Sequence, residues 1–386
     1  MARYQSFTAK AILFVAFLWF LWFMSFTVRA VFSPIMPLIE DEFGVAHARA
    51  TSIFMFISSG YSISLFFSGA FARAFGYRKA ILLCTIITWA VYFLVPAVRI
   101  FQFFYPLAMV LGLAAGLYLP SVIPLITDYY DEKLWGKAIA VHGSGPSVGV
   151  FASPFIVLFI LSFFQWRGVF YLLGFVMLAC TIIFFLATDE VGIEKAKDSF
   201  LSSILKRRAF WIMGVVWIFS AGCNLGLYLV IPLYLVKELS IEMEQANAIF
   251  GVSRFGGALF TVLAGFLVDK FSLKKGTFLL MFFTGIFTML LAVKNVGFVK
   301  VMLFIQATIS PTVFALALVA IPRLFVKEER GQATGFIVTL AMIGTGLIPY
   351  LLGVSGDLLS FRFGIFVLGL VTMLCSGLVW FLRELN

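Results

Sequence analysis

The chain has 386 residues, of which 62% are hydrophobic and only 12% charged. A water-soluble domain needs a charged exterior, so this composition excludes one. The net charge of +10 would suggest nucleic acid in a soluble protein; here it sits in short loops between apolar runs, so it is a topology signal and no nucleic-acid partner is expected.

The apolar residues come in runs of about 20, the length that crosses a hydrocarbon core. A β-barrel would show short alternating segments instead. Twelve spans are predicted, at approximately 11–37, 47–72, 80–98, 101–127, 138–163, 167–188, 209–236, 246–269, 275–294, 298–322, 331–354 and 362–382. The fold class expected is an all-α membrane protein.

Span one is too long for a secretory signal and lacks a cleavage site of small residues. Inside it lies one charge, Arg29, with no adjacent acid. A guanidinium in hydrocarbon is expensive, so it is expected to face a polar cavity in a helix bundle. Span two carries Ser58, Ser59 and Tyr61, and span five carries His142. The stretch 189–208, amphipathic and basic at its end, is expected to lie along the cytoplasmic face and to divide residues 1–188 from 209–386. Span seven carries Asn224 and Tyr228, span eight Arg254, and span ten Gln306. The four cysteines all lie in apolar runs without ligand spacing and are read as packing residues.

Loop charges set the orientation. One side carries nineteen Lys and Arg residues, among them Arg78, Lys79, Lys270, Lys274 and Arg330, and the other carries seven. Both termini are therefore expected in the cytoplasm, with the chain in the cell membrane.

The halves repeat. Gly69 through Arg78-Lys79 matches Gly265 through Lys274-Lys275 at an offset of 196. Trp135-Gly136-Lys137-Ala138 matches Arg330-Gly331-Gln332-Ala333, and Pro37-Leu38 matches Pro232-Leu233, both at 195. Two pseudo-symmetric six-helix halves are expected.

With these motifs in this order the chain resembles the major facilitator superfamily. The loop motif of that family stands after span eight as Gly265, Asp269, Lys270, Lys274 and Lys275, and after span two as Gly69, Gly76, Arg78 and Lys79, with Arg73 in place of the acid. The glycine-proline pattern of span five appears as Gly143-Ser144-Gly145-Pro146-Ser147-Val148-Gly149, and Glu329-Arg330-Gly331-Gln332-Ala333 precedes span eleven. The resemblance implies that Gly69, Arg78, Lys79, Gly145, Pro146, Gly265, Asp269, Lys270, Lys274 and Arg330 serve gating and conformational change. Span one, with Arg29, Ser33, Pro34 and Pro37 followed by an acidic outer loop Glu40-Asp41-Glu42, resembles the organic-anion and nitrate-type branches. An arginine that several anion carriers place in span four is replaced by Ala108, and the glycine-asparagine-rich nitrate signature is missing.

Every Asp and Glu falls in a loop or near a span end, so Arg29 and Arg254 are the two charges well inside. Their expected depths agree, on the outer side of the midplane. Two desolvated guanidiniums without carboxylates repel each other, and a bound anion satisfies both. The planar fork of guanidinium suits carboxylate, nitrate or phosphate. Shifting Arg29 by 195 reaches Asn224, and shifting Arg254 back reaches Ser58 or Ser59. These polar residues, with Gln306, are candidate hydrogen-bonding members of the site. Tyr61 and Tyr228 are candidate caps through their hydroxyls, and Trp22 a candidate wall. The competing reading is that the arginines snorkel or bond helix carbonyls while the serines close helix contacts. His142 is read either as a proton relay or as a satisfied structural histidine.

The function expected is rocker-switch secondary transport of a small anion, an organic mono- or dicarboxylate first and nitrate next. A coupling proton or counter-anion is its expected co-substrate and a monomer its expected state. The alternatives are efflux of amphipathic compounds and a sensor that moves nothing. No enzyme motif, Walker loop, cofactor or metal cluster is seen in the sequence.

Overall fold

The structure is a computed structural model that describes residues 3–189, 201–257, 272–326 and 330–382. Among the described residues, eleven helices are long and apolar enough to cross a membrane. They coincide with the predicted spans except span eight, which is described only from its start, Met243–Ser253, through Gly257. Residues 190–200 of the expected linker lie outside the described part; Leu201–Lys206 is a short helix.

The helices fall into two compact units. One comprises residues 1–32 and 59–197, the other 33–58 and 198–386. In the first, spans one and five approach closely. A Cβ on Gly145 would lie 2.9 Å from the Trp19 carbonyl oxygen, and one on Gly149 2.7 Å from that of Phe23. Span five is interrupted between the helices Glu132–Gly143 and Gly145–Leu161, where Pro146 opens the second helix. Proline suits a first helical turn because its missing N–H has no partner to lose there. At the end of span six, Arg78 donates to the Phe185 carbonyl at 2.7 Å and to Thr188 Oγ1 at 3.2 Å. A cation there satisfies a carbonyl that the helix leaves open and complements its dipole.

In the second unit, residues 33–58 of spans one and two pack with spans seven, eight, eleven and twelve. Pro232 has no N–H, so the Tyr228 carbonyl one turn earlier lacks its helical donor, and Ser33 Oγ supplies one at 3.3 Å. Glu40, Asp41 and Glu42, predicted as a loop, instead lie in the last turns of the helix Phe32–Phe43, which continues through Pro37. That turn is fixed by ions. Glu40, 5% exposed, meets His47 Nδ1 at 2.8 Å and Lys237 Nζ at 3.5 Å, and Lys237 also bonds Asp41. Asp357 receives the backbone N–H groups of His47 and Ala48 at 2.8 and 2.9 Å. Its carboxylate thereby caps the start of span two, where open N–H groups and the helix dipole favour an anion.

Spans seven and eleven touch through glycine. A Cβ on Gly344 would overlap the Ile218 carbonyl oxygen, which is backbone and cannot swing aside. Gly344→Val is therefore expected to lower stability by about 1–3 kcal/mol or to prevent folding. Thermal unfolding in detergent measures it, and a melting temperature equal to that of the parent would refute the close approach.

Candidate functional site

Both internal arginines lie where a helix is interrupted. Arg29 occupies the last turn of Ala9–Ala30, just before a break at Val31. Arg254 follows Met243–Ser253, and its N–H bonds the Gly251 carbonyl three residues back, at 3.1 Å, instead of four. Opposite Arg254, span seven departs from the α pattern as well. Gly222–Gly226 forms a π-helical turn in which the Leu227 N–H reaches back five residues to Gly222. Single π turns inside α-helices recur at functional sites because they rotate side chains and carbonyls out of the helical register.

Within the second unit, Arg254 is 8% exposed and held by that turn. Its Nη1 donates to Asn224 Oδ1 at 2.8 Å, and its Nη2 to the Asn224 carbonyl. The guanidinium carbon lies 3.5 Å from the centre of the Tyr228 ring. In a desolvated setting such a cation–π contact contributes about 2 kcal/mol. The Tyr228 hydroxyl is directed elsewhere, donating to the Leu303 carbonyl at 3.0 Å. Tyr228 therefore meets the cation through its ring.

Within the first unit, Arg29 repeats this arrangement with the partners exchanged. Its guanidinium carbon lies 4.2 Å from the Phe26 ring centre and 5.1 Å from that of Tyr61, and its Nε donates to the Ser25 carbonyl at 2.9 Å. In one half the arginine is in the first span and its tyrosine in the second; in the other the tyrosine is in the first span and the arginine in the second. Phe26 was not singled out from the sequence, since aromatics make up 18% of the chain and carry no mark of a cation partner.

Each guanidinium bonds one helix carbonyl, as the competing reading anticipated, yet neither is satisfied. Arg29 Nη2 and Arg254 Nε are buried without an acceptor. Among the described residues, no carboxylate lies within ion-pair distance of either. Each cation, taken in its own unit, has a donor to spare with which it can accept an anion.

Gln306 is fully buried in span ten and joins the same π turn, donating to the Cys223 carbonyl at 3.2 Å. The cluster it belongs to, with Cys223, Thr288 and Thr372, was not foreseen. The glycines flanking Cys-Asn-Leu at 222–226 were the available signal. Ser58 is buried against Gly346, where a Cβ would lie 2.6 Å from its own, and Ser59 is exposed. Neither serine bonds an arginine among the described contacts.

His142, 1% exposed, stacks with Trp22 and Tyr118, its ring centre 5.8 and 5.9 Å from theirs. The Tyr118 hydroxyl donates to the Leu18 carbonyl at 3.1 Å, so the 3.3 Å contact with His142 Nε2 is read as Nε2–H donating to that hydroxyl. Trp22 stands in this stack, with Tyr118 4.8 Å away. Of the gating candidates, Lys274 lies over the Trp380 ring at 5.6 Å, and Lys79 lies on the helix Tyr77–Leu94. Gly69 is described by its backbone alone and the side chains of Arg73 and Arg330 are not described; Gly265, Asp269 and Lys270 lie outside the described residues.

The sequence model of the Major Facilitator Superfamily matches residues 18–257 and 219–385. A probable sulfoacetate transporter of Cupriavidus necator is 24% identical over 268 residues, 64% of this chain, and the match spans 62% of that protein's length. A cis,cis-muconate transport protein of Acinetobacter baylyi is 23% identical over 358 residues, covering 88% of this chain and 86% of that one. Among solved structures, a bacterial homologue of the human lysosomal transporter Spinster, in an inward-facing and unoccupied conformation, superposes with a TM-score of 0.81 over 98% of each chain at 15% identity.

Proposed function

The chain belongs to the major facilitator superfamily, and on that premise we propose that it carries a small organic anion, a mono- or dicarboxylate, across the membrane. Membership makes it a multi-pass membrane transport protein and not an enzyme. The observation that carries the anion reading is the pair of intramembrane arginines, each with a buried N–H that has no acceptor. Carboxylate is preferred to nitrate because the glycine-asparagine-rich nitrate signature is missing from the sequence, and because the relatives quoted are named for carriage of organic acids.

In this reading the anion neutralises Arg29 and Arg254. The halves 1–188 and 209–386, joined by 189–208, then rock to expose it to the other side. Both termini lie in the cytoplasm and the protein acts as a monomer. Because every Asp and Glu falls in a loop or near a span end, obligate proton symport through a protein carboxylate is disfavoured. Exchange against a second anion, uniport, or a proton carried by the substrate or by His142 fits the residues available. Gating falls to the loop-motif residues and to Gly145 and Pro146, where span five is interrupted.

A screen of purified protein against carboxylates, nitrate and amphipathic cations tests the reading. Carboxylates are expected to raise the melting temperature, by the stabilisation that any ligand of the folded state confers. The same compounds are expected to drive counterflow in proteoliposomes. Stabilisation by amphipathic cations alone would replace the reading with efflux, and binding without counterflow would replace it with a sensor.

A further inference from the structure

Gln306 has a polar atom without a partner among the described residues. Its Nε2 donates to the Cys223 carbonyl at 3.2 Å and to Thr288 Oγ1 at 3.1 Å. The Thr288 hydroxyl proton goes to the Thr284 carbonyl at 2.7 Å, so Thr288 can receive the second amide proton. A carbonyl oxygen only accepts, so the Cys223 contact fixes the amide with nitrogen toward the π turn. Both amide protons are thus accounted for. Oε1 is left buried, in a side chain with no exposure, and without a donor.

A second unpartnered group shares its helix face. Ser310 is four residues on, where side chains lie one above the other, and it is also fully buried with its Oγ unpaired. A buried acceptor and a buried hydroxyl in that relation suit an alcohol, which gives one proton and accepts another. Their position relative to the anion site is fixed by backbone. Gln306 holds the Cys223 carbonyl, and Arg254 holds the next carbonyl along the same turn, that of Asn224.

We propose that Gln306 Oε1, with Ser310 Oγ, reads a hydroxyl on the transported carboxylate, so that the substrate class is a hydroxy acid. This rests on the carboxylate reading and narrows it. An acceptor left unpaired in the protein penalises an anion that brings no donor. Its hydroxylated counterpart is expected to bind on the order of 10- to 100-fold more tightly. Asn224, whose side chain already serves Arg254, acts as a positioning residue.

Matched pairs test this: lactate against propionate, malate against succinate, and 4-hydroxybenzoate against benzoate. Concentrations for half-maximal thermal stabilisation are measured in the parent, in Gln306→Leu and in Ser310→Ala. In the parent, the hydroxylated member of at least one pair is expected to bind about 10- to 100-fold more tightly. Gln306→Leu is expected to bring that ratio to about one while the deoxy partner still binds. Because Gln306→Leu also removes a donor from the Cys223 carbonyl, Ser310→Ala, which keeps that bond, serves as the second arm and is expected to reduce the ratio as well. Carboxylates that stabilise the parent with no hydroxyl preference in any pair would overturn the hydroxy-acid assignment alone. So would a preference undiminished in the variants that fold. A parent that responds to no carboxylate would overturn the anion reading and this one with it.

Discussion

Replacing Arg29 or Arg254 by alanine is expected to lower uptake by 100-fold or more, as read in proteoliposome counterflow, and to abolish stabilisation by carboxylates. Each hydrogen bond between a charged donor and a carboxylate contributes about 1.5–3 kcal/mol, so losing a two-pronged contact removes at least two decades of affinity. Lysine is expected to fail nearly as badly. It keeps the charge, but its ammonium cannot present two parallel N–H groups or lie flat on the Tyr228 ring as Arg254 does. The ligand-free protein should tell the opposite story. A buried cation without a carboxylate partner is a burden on the folded state, and its removal is often neutral or stabilising. Arg254→Met is therefore expected to leave the melting temperature unchanged or raised in the absence of anion. Near-normal transport in both alanine variants would defeat the anion reading and favour efflux of amphipathic compounds.

Charge in an apolar run is the most legible feature of such a chain, because hydrocarbon makes every internal ion conspicuous. Arg29 and Arg254 stand out for that reason, as do the loop lysines and the repeat with its constant offset. The glycine-proline pattern of span five was legible as a gating feature, but its break was not, since span five reads as one run over 138–163 and the structure divides it at Ser144. What surrounds the arginines was legible only in part: Asn224, Tyr61 and Tyr228 were candidates, but the tyrosines for their hydroxyls and not for the ring faces that meet the cations. Tyr228 and Phe26 are aromatic residues among many, and only the fold decides which ring lies under a cation. The π turn at Gly222–Gly226 is a shift of one residue in a hydrogen-bond ladder, which leaves no mark on hydropathy. The Glu40, His47, Lys237 and Asp357 cluster joins residues up to about three hundred positions apart and looks, in sequence, like ordinary loop charge. Glu40, Asp41 and Glu42 read as a loop because three acids in a row end an apolar run, whereas the helix runs on to Phe43.

The second large effect is expected from Asn224→Asp. Asn224 Oδ1 already receives a proton from Arg254 Nη1 at 2.8 Å, so a carboxylate in its place meets the guanidinium with little change of shape. An ionised carboxylate is favoured beside a buried cation, and the pair satisfies in the resting protein what the anion otherwise supplies. The expected outcome is a ligand-free protein at least as stable as the parent, stabilisation by carboxylates reduced 100-fold or more, and transport lost. Asn224→Leu separates this from mere damage. It leaves Arg254 Nη1 without its side-chain acceptor, and the ligand-free protein is expected to lose about 1–3 kcal/mol. An added anion should recover part of that loss, because the cation is still free to receive it. The two substitutions at one position thus make opposite demands: one fills the need for negative charge and the other enlarges it. If the aspartate variant transported carboxylates as well as the parent does, the charge on Arg254 would not be what the substrate meets.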